Sequence, residues 1–376
     1  MFQTKRFDNF IKLNRGFDLP DDKIVSGKYP VVASTSVKAY HNEFKVKAPA
    51  VVTGRSGSLG KIQFIDNDCW PLNTTLYVKD FKGNNPKYVY YLLQTMHLEQ
   101  YNAGAGVPTL NQNHLHSIKL TIHSLPTQER IADILSTYDD LIENNNKRIA
   151  LLEKAAQELY KEWFVRFRFP GHETARFING LPEGWTRRKI NEFYNTCSGG
   201  TPSRSKSEYY ENGVYPWVKT GEIRDSIVID AEEYITENAI RNSSAKLLPA
   251  KSVVMAMYGV NIGMLAYFDQ EMACNQACCV FSDKRNFPSR HYLFQYLLSI
   301  REYLLLIGFG AAQQNLSQDL IKRVKILMPT DGLVTAFEKK VDDYYESIRN
   351  LMMCNQNLTK QRDLLLPRLM SGKLEV

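Results

Sequence analysis

The sequence predicts an α+β protein: two pseudo-symmetric globular α/β domains joined by two long helices that form an antiparallel coiled coil. Three observations carry that prediction. A heptad seam steps by four and three through Ile131, Leu135, Tyr138, Ile142, Asn145, Ile149, Leu152, Ala156, Leu159 and Trp163, the apolar pattern of a coiled coil. A second seam runs Phe337, Val341, Tyr344, Ile348, Leu351, Asn355, Leu358, Arg362, Leu365 and Leu369, each 206 positions after its counterpart. Framework motifs recur as well. Gly27, Tyr29 and Pro30 return as Gly213, Tyr215 and Pro216, and Val51-Val52 as Val253-Val254.

With Ile131 beside Leu369, antiparallel helices pair residues whose numbers sum to 500, and Asn145 faces Asn355. Small Ala156 then opposes large Tyr344, which suits close packing. One Asn layer in an apolar seam fixes register at some cost in stability, so Asn145 and Asn355 are the expected register residues. The competing interpretation is two amphipathic helices from unrelated bundles. It leaves the agreement of phase and direction at the two asparagines to chance.

In chain order, residues 1–124 read as a first α/β domain. Short β-type runs occur at Tyr29–Ala33, Ala50–Thr53, Gly60–Ile65 and Thr75–Val78. A helix is expected over about Pro86–Gln100, then a Gly-rich loop at Asn102–Gln112 and a strand over about Ser117–Ile122. Residues 125–165 form the first long helix, with Thr127 as its expected cap. Residues 166–185 hold Pro170-Gly171, Gly180 and Pro182, breakers that mark a connector. Residues 186–327 repeat the first domain. The turn Gly54–Gly60 returns as Met257–Gly263, Tyr91-Leu92-Leu93 as Tyr296-Leu297-Leu298, and Gly104-x-Gly106 as Gly308-x-Gly310. Residues 328–376 form the second long helix. Pro367 is expected to end or kink it, and Ser371-Gly372 to close it. The repeat offset jumps from 186 to 202 between Pro30 and Val51, so the copies differ most between those points.

At 376 residues the chain suits two or three domains. A net charge of +7 permits nucleic acid as a partner without proving it. Two small basic stretches, Arg187-Arg188-Lys189 and Lys322-Arg323, are more pointed. No run of about 18 apolar residues occurs, so no membrane span is expected. The six cysteines follow no disulfide or zinc spacing, which suits a reduced, cytoplasmic compartment. No metal site is expected.

Catalytic motifs are missing. There is no phosphate-binding G-x-x-x-x-G-K-[ST] loop, no G-x-S-x-G elbow and no H-E-x-x-H pair. The glycine turns that could hold a cofactor follow helices rather than strands. No catalytic residue and no cofactor is therefore assigned to the chain. What is present suits DNA. The turn "TGRSGSLGKI" offers Arg55, Ser56, Ser58 and Lys61 among glycines that let backbone approach a phosphate. Arg can read guanine bidentately, and Ser and Lys serve phosphates. The segment "ASTSVKAYH" adds Ser34, Thr35, Ser36 and Lys38. In the second copy the matching candidates are Thr201, Ser203, Arg204, Lys206, Lys219, Thr220, Tyr258 and Asn261. Each turn alone is ordinary surface; their doubling at matched positions is the signal.

Together "GGTPSRSKSEYYENGVYPWVKTGEI" (199–223), "LPEGW" (181–185), "GFGAAQQNLSQDL" (308–320), "LEKAAQELYKEWFVRFRF" (152–169) and "LLLPRLMSGKL" (364–374) resemble the DNA-specificity subunit of type I restriction–modification systems. The resemblance covers nearly the whole chain. It implies that the two globular domains are target-recognition domains, each reading half of a split, asymmetric site in double-stranded DNA. The helices would act as a spacer. Methyltransferase subunits would dock on the frame and bring S-adenosylmethionine, and motor-nuclease subunits can join. The first domain departs from the pattern: "NRGFDLPDDKIVSGKYPVV" (14–32) replaces the "GGTPS…PW" element. Two other classes compete: a stand-alone DNA methyltransferase or nuclease, and a coiled-coil adaptor without DNA specificity.

Overall fold

The computed structural model describes residues 2–104, 106–285, 287, 289–308 and 315–376. The repeat partner Gly310 and most of the "GFGAAQQ" stretch lie outside these, as does Ala105 of the first Gly-rich loop. The chain divides into two compact units, Met1–Asn144 with Asn355–Val376, and Asn145–Cys354. The long helices span Leu125–Tyr160 and Asp331–Met370. Each unit thus holds a globular body and a stretch of both. The seam asparagines, buried Asn145 and half-buried Asn355, belong to different units.

The first unit is built on strand Ala50–Gly54, buried at every position and rich in β-branched residues. It lies between Thr75–Asp80 and Ile62–Ile65 in a four-stranded antiparallel sheet whose other edge is Lys12–Arg15. A three-stranded sheet sets Tyr29–Val32 antiparallel to Val37–His41 and parallel to Trp70–Pro71. Terminal strands Phe2–Arg6 and Lys119–His123 pair with each other. The core also takes in Ile131, Ala132 and Leu135 from one long helix and Leu366, Leu369 and Met370 from the other. Across these stretches Arg362 Nη1 donates to Asp139 Oδ1 at 2.5 Å, and Tyr91 donates to Asp139 Oδ2. The numbers 139 and 362 sum to 501, one residue from the predicted antiparallel register.

The second unit repeats the plan. Tyr194–Ser198, Cys278–Asp283, Val253–Ala256 and Leu265–Phe268 form the matching sheet. A fifth strand, Ser226–Val228, lies parallel to Leu265–Phe268. It comes from the segment where the repeat offset jumps, so the extra residues buy an added edge strand and the helix Glu237–Asn242. Equivalent backbone bonds tie both copies: Leu72 N to Val32 O (2.9 Å) and Asn275 N to Val218 O (3.0 Å). Phe7 N to Ile118 O and Ile190 N to Val324 O are another such pair, both 2.8 Å. Trp163 and Phe337 meet at 5.9 Å between ring centroids, the partners that the sum of 500 predicts. Residues 166–185 fold onto Trp185, whose ring contacts Phe164, Phe167 and Phe169.

One buried carboxylate joins the second long helix to this body. Glu338, 2% exposed, accepts from His291 N (3.3 Å) and Tyr292 N (2.8 Å), orphan donors at the start of helix Arg290–Ser299. Burial raises its carboxyl to about 8, although both backbone bonds oppose the shift. Burial likewise lowers His291 to about 4, against its bond to Asp342.

Several sequence expectations are corrected. The first long helix starts at Leu125, and the Ser124 carbonyl accepts from the amides of Thr127 and Gln128, so Thr127 sits inside the first turn. Pro367 lies within the second helix and does not end it. It needs no N–H partner, and buried Leu366, Leu369 and Met370 hold the last turn in place. The close is at Gly372 (φ +71°), as expected. Residues Gln112–Ser117, read as loop and strand, form a short helix capped by the Asn111 side chain. The helix expected over 86–100 stops at Thr95.

Candidate nucleic-acid interface

In the first unit the candidates converge on one loop. Strand Ala50–Gly54 runs into a turn at 55–60, with Gly57 (φ +83°) and Gly60 (φ +85°) in the left-handed region. A Cβ on Gly54 would stand 1.9 Å from the Ser58 carbonyl, so only glycine lets the loop fold back. Arg55 N and Ser56 N donate to Thr74 O, Gly57 N to Pro108 O, and Leu110 N to Arg55 O. The loop is therefore held on both sides. Ser34 Oγ bonds Ser56 O (3.2 Å) and Thr74 O (3.0 Å), which joins the 33–36 turn to it. Ser34 is a tie within the protein. Thr35, Ser36, Ser58 and Lys61 are exposed, Arg55 and Ser56 half-buried. Lys38 is ion-paired with Asp21, and Arg55 Nη1 donates to Asn73 O at 3.2 Å.

The second unit builds the same frame from different residues. Gly259 (φ +81°) and Gly263 (φ +78°) bracket the turn, and Leu316 N donates to Met257 O (3.0 Å) as Leu110 N does to Arg55 O. Gly16 and Gly199 also correspond. A Cβ would fall 2.2 Å from Leu72 O in one and 2.1 Å from Cys274 O in the other. The divergent "NRGF" stretch thus occupies the place of "SGGT". Asn261 Nδ2 donates to the carbonyls of Thr220 (3.0 Å), Gly221 (3.2 Å) and Ile223 (3.1 Å), clamping the 257–263 turn to the 219–224 loop. Its amide nitrogen is thereby committed inside the protein.

Arg204 lies over the rings of Tyr210 (4.4 Å) and Trp217 (5.2 Å), and its Nη1 is 2.6 Å from Glu233. Lys219 Nζ is 3.0 Å from both Glu232 and Glu233. The Arg204 bond, with help from Lys219, holds the Glu233 carboxyl below the usual carboxylate range. Lys206 stacks on Tyr209, Ser203 bonds Ser205, and Thr201 bonds Gln276. Sequence reasoning missed Glu232, Glu233 and Gln276. The pair in "DAEEYI" has no spacing that marks it, and only the fold brings it to the cations. Two cations against two carboxylates leave this patch close to neutral. Glu233→Gln is expected to free Arg204 for phosphates, while Lys219 keeps Glu232 as its partner. Binding to a non-cognate duplex should tighten, and its log K against log salt plot should steepen by about 1. Fluorescence anisotropy across a salt series measures this; an unchanged slope contradicts it.

The two copies of this loop system fall inside two matches to one family model, described as the type I restriction modification DNA specificity domain, at residues 2–154 and 182–332. The chain belongs to this family. Its specificity domains read DNA sequence, and its role is not that of a stand-alone enzyme. The MjaIX type I restriction enzyme specificity subunit of Methanocaldococcus jannaschii is 28% identical over 353 residues, covering 88% of this chain and 78% of its own. The HindI specificity subunit of Haemophilus influenzae is 24% identical over 387 residues, 84% of each chain. Among solved structures, the S subunit of a type I system from M. genitalium superposes with a TM-score of 0.64 at 16% identity, over 98% of this chain and 96% of that one. That likeness concerns the fold. No helix among the described residues is long and apolar enough to cross a membrane.

Proposed function

We propose that this chain is the sequence-reading subunit of a type I restriction–modification complex, in which each domain reads one half of a split, asymmetric site in double-stranded DNA. The observation that carries this is the doubling of one loop frame inside two DNA specificity domain matches, with different side chains on each copy. The first copy offers Arg55, Ser56, Ser58 and Lys61 with Thr35, Ser36 and Lys38. The second offers Arg204, Lys206, Lys219 and Tyr258 with Thr201, Ser203 and Thr220. Ser34 and Asn261 serve as supports for these loops. Arg and polar side chains suit base edges, and lysines suit phosphates. Residues 1–124 and 186–327 are the proposed reading domains, residues 125–165 and 328–376 the spacer helices, and 166–185 their connector. Asn145 and Asn355 are proposed to set the heptad register.

In this reading, methyltransferase subunits dock on the chain and carry S-adenosylmethionine. Motor-nuclease subunits join them for cleavage, and the complex works in the cytoplasm. The chain itself binds no cofactor. Single-molecule methylome sequencing of cells with and without the chain tests the reading. One bipartite methylated motif is expected to vanish when the chain is removed. An unchanged methylome, with the methyltransferase subunits still expressed, would overturn it.

A further inference from the structure

Val260 stands at the tip of the 257–263 turn with 96% of its surface exposed. Single exposed apolar side chains are common, but this one is held out by a rigid mount. Gly259 and Gly263 set the turn, and the three bonds from Asn261 fix it to the 219–224 loop. That loop is itself anchored. Asp225 Oδ1 accepts from Leu265 N at 2.9 Å, and Asp225 is ion-paired with Arg301. The neighbouring Tyr258 is 38% exposed.

The twin loop makes the contrast. There the residue after the first left-handed glycine is Ser58, also exposed; here it is Val260. The backbone tie from Leu110 N to Arg55 O and from Leu316 N to Met257 O is shared between the copies. The Asn261 clamp belongs to the second copy alone, because Leu59 stands in its place in the first, and the chemistry at the tip differs. A side chain that differs at the same place of a recurring turn, held out by a rigid loop inside a DNA specificity domain, is where a reading side chain belongs. The groups a Val can recognise on a base edge are few. It has no hydrogen-bonding group, so the thymine C5-methyl in the major groove is its complement. Wedging between base steps is a minor-groove device that unstacks the duplex, whereas the thymine methyl lies in the major groove and asks only for an apolar contact.

We infer that Val260 reads the C5-methyl group of one thymine in the half-site recognised by the second unit. This rests on the DNA-reading role proposed above, and the test separates the two. The complete complex with its methyltransferase subunits is used, with the bipartite site taken from the methylome. Duplexes carry deoxyuridine in place of each thymine in turn, which removes one methyl group. Against the wild-type chain, one substitution is expected to weaken binding about fourfold, the value of one buried methyl. Val260→Ala should lose a similar factor on the thymine duplex and nothing further on the deoxyuridine duplex. Its salt dependence should stay unchanged, because an apolar contact releases no counterions. Equal thymine-to-deoxyuridine losses with both proteins would overturn the inference while leaving the DNA-reading role intact. So would a half-site without an A·T pair, or a Val260→Ala chain that binds as the wild type does. Loss of complex assembly in Val260→Ala would instead assign this tip to a protein contact, and also overturns it. Val260 packs against little, so the variant folds, and circular dichroism checks that.

Discussion

Replacing residues 186–327 with the corresponding segment of another family member is expected to rewrite one half of the methylated sequence and leave the other half unchanged. The reason lies in how the second unit closes on itself. Thr186 pairs with Met328 and Arg187 with Leu327 on adjacent antiparallel strands, so a graft enters and leaves the frame at one place. The bonds that shape its loops, from Trp217 Nε1 to Gly200 O and from Asn261 to the 220–223 carbonyls, all fall between those two points. Two of its cores, around Val254 and around Trp217, lie wholly inside the segment. Its helix Arg290–Ser299 packs on Tyr160, Phe164 and Phe337 of the frame, so a donor with matching side chains on that helix transplants with little strain. Methylation mapping of the hybrid decides the matter. A change in both halves would show that the reading surfaces are coupled and would count against two independent readers.

The second large effect concerns Glu338. Its folded value of about 8 lies well above that of an exposed glutamate, so the folded chain holds a proton that the unfolded chain has released. Stability from this group is full below the unfolded value and is lost as pH rises through 8. His291, lowered to about 4, acts in the opposite sense, and its contribution is lost as pH falls below about 6.5. Between pH 6.5 and 8 Glu338 carries most of the change, with Arg290 and Asp342 as its charged neighbours and His291 neutral beside it. His116 and His123, lowered by burial, oppose it near pH 6.5, and the buried thiols of Cys69, Cys197, Cys274 and Cys279, raised in the fold, add to it near pH 8. The chain should lose about 2 kcal/mol of stability across that interval. Glu338→Gln, which stays neutral and keeps an acceptor for Tyr292 N, should flatten it. Urea unfolding at several pH values, followed by tryptophan fluorescence, measures the slope. A slope that persists in Glu338→Gln would assign it to other groups.

The heptad seam was legible because its physics is periodic. Trp163 meets Phe337 as the step pattern requires, and the glycines that bracket the two turns recur with the same positive φ. Local competition was harder to read. Ser124 and Thr127 are both good caps, and only the backbone bonds show which one leads. Pro367 looks like a terminator in isolation, yet the burial of Leu366, Leu369 and Met370 outweighs one missing hydrogen bond. At the interface, residue type gave the chemistry but not the occupancy. Lys219 and Arg204 read as free cations, whereas Glu232 and Glu233 reach them from more than a dozen residues away along the chain. Ser34 and Asn261 read as contact residues, and their side chains are spent on tying loops together. Long-range polar pairing has no period, so the sequence carries no direct trace of it.

The stacking of Arg204 between Glu233 and the rings of Tyr210 and Trp217 has a thermodynamic corollary. Two aromatic faces restrict its guanidinium even where a phosphate takes the place of Glu233, so less freedom is left to lose when it meets a duplex. A lysine there would keep the charge and lose the preset orientation. Calorimetry should then find the Arg204→Lys association more opposed by entropy than that of the parent chain.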